Sequence, residues 1–326
     1  MRDSVALAPD GDLRIGVHSG QQYADFSELR ALWQTTESLG YDGVSLFEHF
    51  RPPIFGPDGP CLDGMTALSA LAACTSRVRC TMLVTSATWR HPALLAVAAA
   101  TVDQVSGGRL ELGLGAGGND LAFRQYGIEQ PSMAARLERL DETCRILRAL
   151  WDGGPVSFEG THFTLREAHL APRPVQRRVP LVIGGSGSRT VRLAAEHADV
   201  WNCLVMPPEK YRAVADTCAA HCVRIGRDPT AVRRSVTFRT VLAPNASAAR
   251  RARDAVRGSR QGHAADLSEY ISFGSTQECL ERLAPYLELG VRDFLLAVRP
   301  PLDWTTVERF ATDVAPELRK EAARWS

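Results

Sequence analysis

The chain has 326 residues, of which 45% are hydrophobic and 23% charged, so it can bury one large core. Its formal net charge of +1 argues against a field that would attract nucleic acid or a membrane surface. Because no apolar run approaches the roughly twenty residues of a membrane span, and residues 1–12 lack the features of a signal peptide, we expect a cytoplasmic protein.

Cysteine and histidine spacing gives little support for a disulfide framework or a metal site. The eight cysteines occur singly, without a Cys-x-x-Cys pair, so we expect reduced thiols. The trio Cys218, His221 and Cys222 lies in an alanine-rich predicted helix, and we interpret it as packing. The absence of a His-x-His pair and of a Gly-x-Ser-x-Gly elbow disfavours a zinc hydrolase and acyl transfer.

Apolar patterning in the first half of the chain predicts four pairs of a strand and a helix. Gly40 ends the first helix, Asp63 caps the second and Pro92 opens the third. Residues 51–64 form a long loop rich in proline and glycine, and 119–132 is predicted as an irregular loop. The predicted strands are 13–18, 43–47, 78–85 and 109–114, and the predicted helices are 26–39, 63–74, 92–105 and 133–151.

The second half of the chain continues the alternation and adds two decorations. A small hairpin is predicted within about 155–166, and the arginine-rich stretch of about 245–272 is a candidate insertion. The predicted strands are 180–183, 198–202, 235–242 and 294–298, and the predicted helices are 190–197, 208–225, 276–289 and 304–319. Eight strands alternating with helices predict a single-domain (β/α)8 TIM barrel over 1–326, with its site at the carboxyl ends of the strands.

The stretch 106–119 runs from a predicted strand into four glycines within six positions. Gly113, Gly115 and Gly118 satisfy the spacing G-x-G-x-x-G of a dinucleotide-binding turn. No helix is predicted directly after the turn, and the acid twenty residues on, Glu138, sits inside a helical pattern. We therefore favour a strand whose carboxyl end lines a site in a barrel.

Other strand ends carry titratable side chains or turns that are able to bind ligands. His18 ends the first predicted strand, and Glu48 and His49 end the second. The turn 184–187, Gly-Gly-Ser-Gly, lies between a strand and a helix, an arrangement that binds anions. These parts suit a flat, phosphate-bearing redox cofactor better than a nucleophilic mechanism. On residue types alone, Glu48 and His49 are equally consistent with a hydrogen-bonded pair that closes the barrel.

Six motifs in this order resemble the luciferase-like monooxygenase superfamily, and within it the oxidoreductases that use the deazaflavin coenzyme F420. They are spread over about two thirds of the chain. The motifs are Ser-Leu-Phe-Glu-His-Phe (45–50), Thr-Ser-Arg-Val-Arg (75–79), Arg-His-Pro (90–92), Ser-Gly-Gly-Arg-Leu-Glu-Leu-Gly-Leu-Gly-Ala-Gly (106–117), Phe-Glu-Gly (158–160) and Ile-Gly-Gly-Ser-Gly (183–187). The resemblance implies the bacterial luciferase-like form of the barrel.

The resemblance also implies roles for individual residues. His49 matches the family's active-site histidine beside the cofactor ring, and Glu48 stands where relatives commonly have aspartate. Met82 and Leu83 fall where the third strand bulges behind the ring through a non-prolyl cis peptide. The remaining cofactor contacts that the resemblance implies are Ala116, Gly117 and Asn119 around the ring and side chain, and Gly184, Gly185, Ser186 and Gly187 around the phosphate.

The function that the resemblance implies is a reductase. Reduced F420 would give hydride to an electron-poor C=C, C=N or C=O of a small molecule or natural product, with His49 as proton donor or relay. The alternatives are a monooxygenase that uses flavin mononucleotide (FMN) and a binding protein without turnover. We expect a homodimer, since relatives are commonly dimers, and no nucleic-acid, membrane or metal partner.

Two features leave alternatives open. Gly118 stands where relatives often have an aromatic residue, so the substrate pocket is predicted to be wide; otherwise Gly118 meets a backbone requirement, with Phe123, Tyr126 or the loop 51–64 filling the space. A group of arginines is interpreted as a solvated face, or else as a contact for the acidic tail of F420. These arginines are Arg250, Arg251, Arg253, Arg257 and Arg260.

Overall fold

A computed structural model of the chain describes residues 13–52, 58–118, 120–258 and 271–325. Eight parallel strands pair side by side and close on themselves, which confirms the predicted (β/α)8 barrel. Closure occurs where β9 pairs with both β8 and β11. The barrel strands are β1 (Arg14–Ser19), β2 (Gly43–Leu46), β3 (Arg79–Ser86), β4 (Leu110–Gly115), β7 (Leu181–Gly184), β8 (Val200–Leu204), β9 (Arg233–Leu242) and β11 (Val291–Val298).

Helices connect the strands and cover the outside of the barrel. They are α1 (Phe26–Ser38), α2 (Gly64–Cys74), α3 (Pro92–Ser106), α4 (Asp120–Gln125), α5 (Met133–Asp152), α6 (Ser188–His197), α7 (Pro208–Arg224), α8 (Ala246–Gly258), α9 (Thr276–Glu288), α10 (Trp304–Arg309) and α11 (Ala315–Ala322). A π-helical turn, Phe310–Val314, joins α10 to α11. Among the helices in the described part of the chain, none has the length and apolar character to cross a membrane.

Local signals start the helices where the sequence predicts them. Asp63 caps α2 by accepting a hydrogen bond from the Thr66 amide, at 2.8 Å between oxygen and nitrogen. Pro92 occupies the first turn of α3, where its missing N–H leaves no intrahelical bond unmade. Asp25 and Glu28 form a capping box that starts α1. These caps fix where each helix leaves the rim of the barrel.

The structure shows regular elements in two segments where none was predicted, and it contains the predicted hairpin. The short helix α4 lies within 119–132, where no regular element was predicted. The candidate insertion contains the amphipathic helix α8 and a strand, β10 (Ile271–Gly274), which pairs with the end of β9. Strands β5 (Val156–Glu159) and β6 (Thr164–Ala168) form the predicted hairpin. Residues 259–270 lie outside the described part of the chain.

A group of paired charges, the lower charge cluster, fills the amino-terminal end of the barrel. It consists of Arg14, Arg79, Glu111, Arg233 and Asp293. Arg14 bridges the two acids: its Nη1 lies 2.8 Å from Glu111, and its Nε lies 2.8 Å from Asp293. Burial opposes ionisation of Glu111, but Arg14 and Arg79 outweigh it and lower the pKa of Glu111 to about 2. Glu111 is therefore charged at neutral pH, and both carboxylates of the cluster are paired with arginines.

Candidate functional site

A cavity of about 690 Å³ opens at the carboxyl ends of the barrel strands, where barrel enzymes place their sites. Its lining combines two histidines, an arginine, aromatic rings and a row of glycines. The residues that matter below are His18, Phe47, Glu48, His49, Leu83, Val84, Thr85, Trp89, Ala116, Gly117, Gly118, Gly184, Gly185 and Arg299. Residues on six separate strands, or directly after them, thus meet in one space.

Glycines on β4 and β7 give one wall of the cavity its close backbone approach. A Cβ added at Gly115 would lie 2.9 Å from a methyl of Val84, and one at Gly184 would lie 2.8 Å from another. Gly117 has φ of +83°, and a Cβ there would lie 2.3 Å from the Ser86 hydroxyl. Any larger residue at these positions would displace the wall of the cavity.

The third strand bulges at the back of the cavity. The register of β3 against β4 shifts between Met82 and Thr85, and the Leu83–Val84 peptide is cis and non-prolyl. The bond lies one residue later than the resemblance implied. Leu83 and Val84 line the cavity, whereas the Met82 side chain is fully buried in the apolar core. Sequence reasoning therefore missed Val84, because the bulge changes which side chains face inwards.

His49 lies just past the end of β2, between two aromatic rings. Ring centroids are 5.1 Å apart for His49 and Phe47, and 5.6 Å apart for His49 and Trp89. Its Nδ1 is buried and has no hydrogen-bond partner among the described residues. Burial, and secondarily the positive charge of Arg299, lowers the pKa of His49 to about 4. At neutral pH the imidazole is therefore uncharged, and its ring lines the cavity.

Glu48, the neighbour of His49 in the sequence, accepts hydrogen bonds from other residues. Arg90 donates to Glu48 Oε1 from Nε at 2.8 Å and from Nη2 at 2.5 Å, and the Thr85 hydroxyl donates to Oε2. Arg90 Nη2 also reaches Asp63, at 2.7 Å. Among the described contacts, no hydrogen bond joins Glu48 to His49, so the structure does not support the interpretation of a hydrogen-bonded pair. The glutamate instead fixes the strand end that carries His49.

Two further cationic or titratable groups of the cavity were not among the predicted site residues. His18, at the end of β1, bonds the Ser45 hydroxyl through Nδ1 at 2.9 Å. Burial lowers the pKa of His18 well below its usual value, and Arg299 and His49 lower it further. Arg299 directly follows β11. A signal for both was available, because each stands at the carboxyl end of a predicted strand.

The glycine turn after β7 leaves the start of α6 open. Gly185 has φ of +136°, and its amide donates to the Asn202 carbonyl at 2.9 Å. Gly187 is the N-cap of α6 and provides no side-chain cap. Trp201 is fully buried and donates to the Gly185 carbonyl at 2.8 Å, which holds the turn in place. An uncapped helix start beside an open cavity suits a phosphate group.

The remaining residues that were predicted to contact the cofactor do not all line the same cavity. Ala116, Gly117, Gly184 and Gly185 line the cavity, and Ser186 lines an adjoining cavity of about 350 Å³ that also contains Lys210. Asn119 lies outside the described residues, so its predicted contact is not located.

Gly118 faces open space at the rim of the cavity. Its φ is not in the left-handed range, and no described atom lies within 4 Å of a Cβ added there. Phe123 packs against Trp89, with ring centroids 6.3 Å apart, and the Tyr126 hydroxyl donates to the Phe50 carbonyl at 3.0 Å. A backbone requirement for glycine is therefore not observed, and no described side chain fills the space. Residues 53–57 of the loop 51–64 lie outside the described part of the chain.

Comparisons with known proteins agree on a family. The family profile described as luciferase-like monooxygenase matches residues 12–293. The chain is 28% identical to an F420-dependent glucose-6-phosphate dehydrogenase of Microbacterium testaceum (strain StLB037), over 95% of this chain and 99% of that protein. It is 30% identical to the pyrimidine monooxygenase RutA of Stutzerimonas stutzeri (strain A1501), over 64% of this chain and 60% of that protein.

A solved structure shares the fold. The structure described as an F420-dependent secondary alcohol dehydrogenase in complex with an F420-acetone adduct superposes with a TM-score of 0.82 at 21% identity. The alignment covers 94% of this chain and 98% of the other. At this level of identity the likeness establishes the barrel architecture.

Proposed function

The chain belongs to the luciferase-like monooxygenase family, and from this premise we propose that it is an oxidoreductase that transfers hydride between coenzyme F420 and a small-molecule substrate. Similarity to F420-dependent glucose-6-phosphate dehydrogenases along nearly the whole chain supports the choice of cofactor. The proposal keeps the predicted reaction class and narrows the reacting group to an alcohol and carbonyl couple, because these relatives are dehydrogenases.

The cavity fits such a cofactor and its substrate in three respects. Its glycine wall and the bulge at Leu83 and Val84 leave a space where a flat ring can approach bare backbone. The turn 184–187 and the uncapped start of α6 would hold the phosphate. The imidazole of His49 lines the same space, where it would serve as the proton acceptor of the substrate. When bound, the deazaflavin supplies or accepts a hydride.

The single observation that carries the proposal is the uncharged, unpartnered imidazole of His49 in this cavity. With a pKa of about 4, His49 is a proton acceptor at neutral pH. In alcohol oxidation the carbinol carbon loses a hydride and the hydroxyl loses a proton to the imidazole of His49, which leaves a carbonyl product. In the reverse direction His49 returns the same proton to the carbonyl oxygen. Arg90 and Thr85 hold Glu48, which keeps the adjacent His49 in position.

A monooxygenase that uses FMN is the second candidate function. Its support is the 30% identity to a pyrimidine monooxygenase over 64% of the chain. Such an enzyme would use the same cavity but would require oxygen as a co-substrate.

Cofactor titration followed by an anaerobic assay tests the proposal. Purified protein is titrated with F420 and with FMN while its tryptophan fluorescence is recorded, since Trp89 lines the cavity. A panel of secondary alcohols is then offered with oxidised F420 under strict exclusion of oxygen, and the deazaflavin absorbance is followed. We expect tighter binding of F420 and oxygen-independent reduction. Preference for FMN with strictly oxygen-dependent turnover would favour the monooxygenase, and binding without any turnover would favour a binding protein.

A further inference from the structure

We propose that Arg299 binds a carboxylate of the substrate, so that the substrates are hydroxy acids and the corresponding oxo acids. The inference rests on the proposed function, because it concerns the molecule that reacts in the same cavity. It is carried by the position of Arg299, by the groups that hold it and by the absence of a described acidic partner.

The side chain of Arg299 is held in a slot at the mouth of the barrel. The guanidinium carbon lies 5.3 Å from the centroid of the Phe47 ring, which also packs against His49. Gly20 makes the slot possible, since a Cβ there would lie 2.9 Å from Cδ of Arg299 and 2.9 Å from the Phe47 ring. Arg299 therefore lies close to the imidazole that we assign to proton transfer.

The guanidinium is only partly satisfied. Nη1 donates to the carbonyls of His18, at 3.2 Å, and Val298, at 3.3 Å. Within the described ranges, no carboxylate forms an ion pair with Arg299, and Nε and Nη2 have no hydrogen-bond acceptor. Burial and the neighbouring charge of Arg239 lower the pKa of Arg299 to about 10, so it remains charged at neutral pH. A half-buried charge that lines a cavity is stabilised when an anion binds.

Other charges around the cavity do not supply that anion. Glu48 is the one carboxylate among the lining residues that the structure describes, and Arg90 and Thr85 occupy its oxygens. His18 and His49 are uncharged at neutral pH. The cavity therefore presents one uncompensated cation beside a proton acceptor.

The chemistry of the free donors favours a carboxylate. Nε and one Nη of a guanidinium form a planar fork that matches the two oxygens of a carboxylate. A phosphate of the cofactor has its own place at the start of α6, formed by bare backbone. A carboxylate held at Arg299 would place a neighbouring hydroxyl in the cavity that the imidazole of His49 also lines.

A matched pair of probes tests the assignment. Mandelate and mandelamide have nearly the same shape and the same hydroxyl, but only mandelate carries a charge. Their dissociation constants are measured by calorimetry on the cofactor-free protein and on the F420-loaded protein. We expect mandelate to bind about 10 to 100 times more tightly than mandelamide, the range of a charge-assisted hydrogen-bonded pair.

Three variants separate the substrate role of Arg299 from a structural role. Arg299→Gln should abolish the preference for mandelate, Arg299→Lys should keep part of it, and Gly20→Ala should reduce it by displacing the guanidinium while the charge remains. F420 affinity, followed by tryptophan fluorescence, should be nearly unchanged in all three. Equal binding of both probes to the wild-type protein, or binding of neither, overturns the proposal.

A preference for mandelate that survives Arg299→Gln also overturns the proposal. Loss of F420 affinity in Arg299→Gln, with the preference intact, assigns the arginine to the cofactor instead. A failure of the wild-type protein to bind F420 contradicts the proposed function, and it is distinguishable because the probes are also measured without cofactor.

Discussion

The two ends of the barrel both contain ionisable residues, but these residues are paired with one another at one end and lack such partners at the other. At the amino-terminal end, every member of the lower charge cluster has an ion-pair partner within the cluster. At the carboxyl end, His49 has an unpartnered nitrogen, and Arg299 has no acidic partner among the described residues. Both ends include half-buried side chains, Arg14 and Arg233 at one end and His49 and Arg299 at the other, so the difference is one of charge compensation.

This difference separates stability from function. A buried charge that loses its partner destabilises the fold, so a compensated cluster holds the strands in register. A charged or polar group that lacks a protein partner in a cavity contributes little to stability, but it can bind a ligand. The same separation is found in barrels generally, where the amino-terminal face contributes stability and the opposite face carries the chemistry.

The largest expected effect is on turnover, in a His49→Ala variant. Removing the proton acceptor should lower turnover by about 10² to 10⁴, the usual contribution of general acid and base catalysis. The thermal midpoint and F420 affinity should change little. His91→Asn is the matched control, because His91 is an exposed cap of α3 outside the cavity. An unchanged turnover number in His49→Ala would remove His49 from the mechanism.

At the amino-terminal end of the barrel, Glu111→Ala should lower the stability of the fold. It leaves Arg79 and Arg14 with fewer counter-charges in a buried setting, which typically lowers the free energy of unfolding by about 3–5 kcal/mol. Urea denaturation measures the change. Glu317→Ala, which removes an exposed partner of Lys320, should lower it by no more than about 1 kcal/mol. Equal effects of the two substitutions would contradict the proposed role of the lower charge cluster.

The pH dependence of stability should distinguish the two ends. The pKa of His49 is about 4 in the folded chain against 6.5 ordinarily, so the unfolded chain binds the proton first, and stability falls as the pH decreases from about 6.5 to 4. For Glu111 the values are about 2 and 4.5, so its contribution is lost between pH 4.5 and 2. In urea titrations at each pH, His49→Gln should make the pH dependence less steep in the upper range, to which His18 also contributes, and Glu111→Gln should do so in the lower range. The opposite assignment would refute this division.

Gly185→Val should weaken cofactor binding by about tenfold or more. A valine there would adopt an unfavourable φ of +136°, and its Cβ would lie 3.2 Å from Thr190 at the start of α6. The control is Gly226→Val, since Gly226 follows α7 and also has a positive φ, of +73°, but does not line the cavity. Fluorescence titration with F420 measures both. Normal affinity in Gly185→Val would mean that the phosphate binds elsewhere.

Gly118→Trp should have the smallest effect on the fold. Its effect on kcat/KM should depend on the size of the substrate. An indole there enters open space at the rim, so the variant should fold and bind F420 normally. It should lose kcat/KM for bulky substrates more than for small ones, because the exclusion is steric. Gly118→Ser, with little added volume, should behave as wild type. An equal loss on substrates of every size would show that Gly118 does not border the substrate.

Local sequence patterns were sufficient to predict most of the barrel strands and the helices between them. The alternation at 109–114 predicted β4, and the caps at Asp63 and Pro92 predicted the starts of α2 and α3, because such signals act over a few neighbouring residues. The short helix α4 was missed, since six residues carry too little periodicity to distinguish it from a loop.

The sequence by itself determined the barrel, the glycine turns and the place of His49 at a strand end, because these depend on period, backbone freedom and chain order. Only the tertiary structure decided which charges are paired. Glu48 binds Arg90, 42 positions along the chain, rather than its neighbour His49. Arg299 lies against Phe47 and His18, which come from the other end of the chain. Such partners are set by the closure of the barrel, and so is the bulge that turns Val84 rather than Met82 towards the cavity.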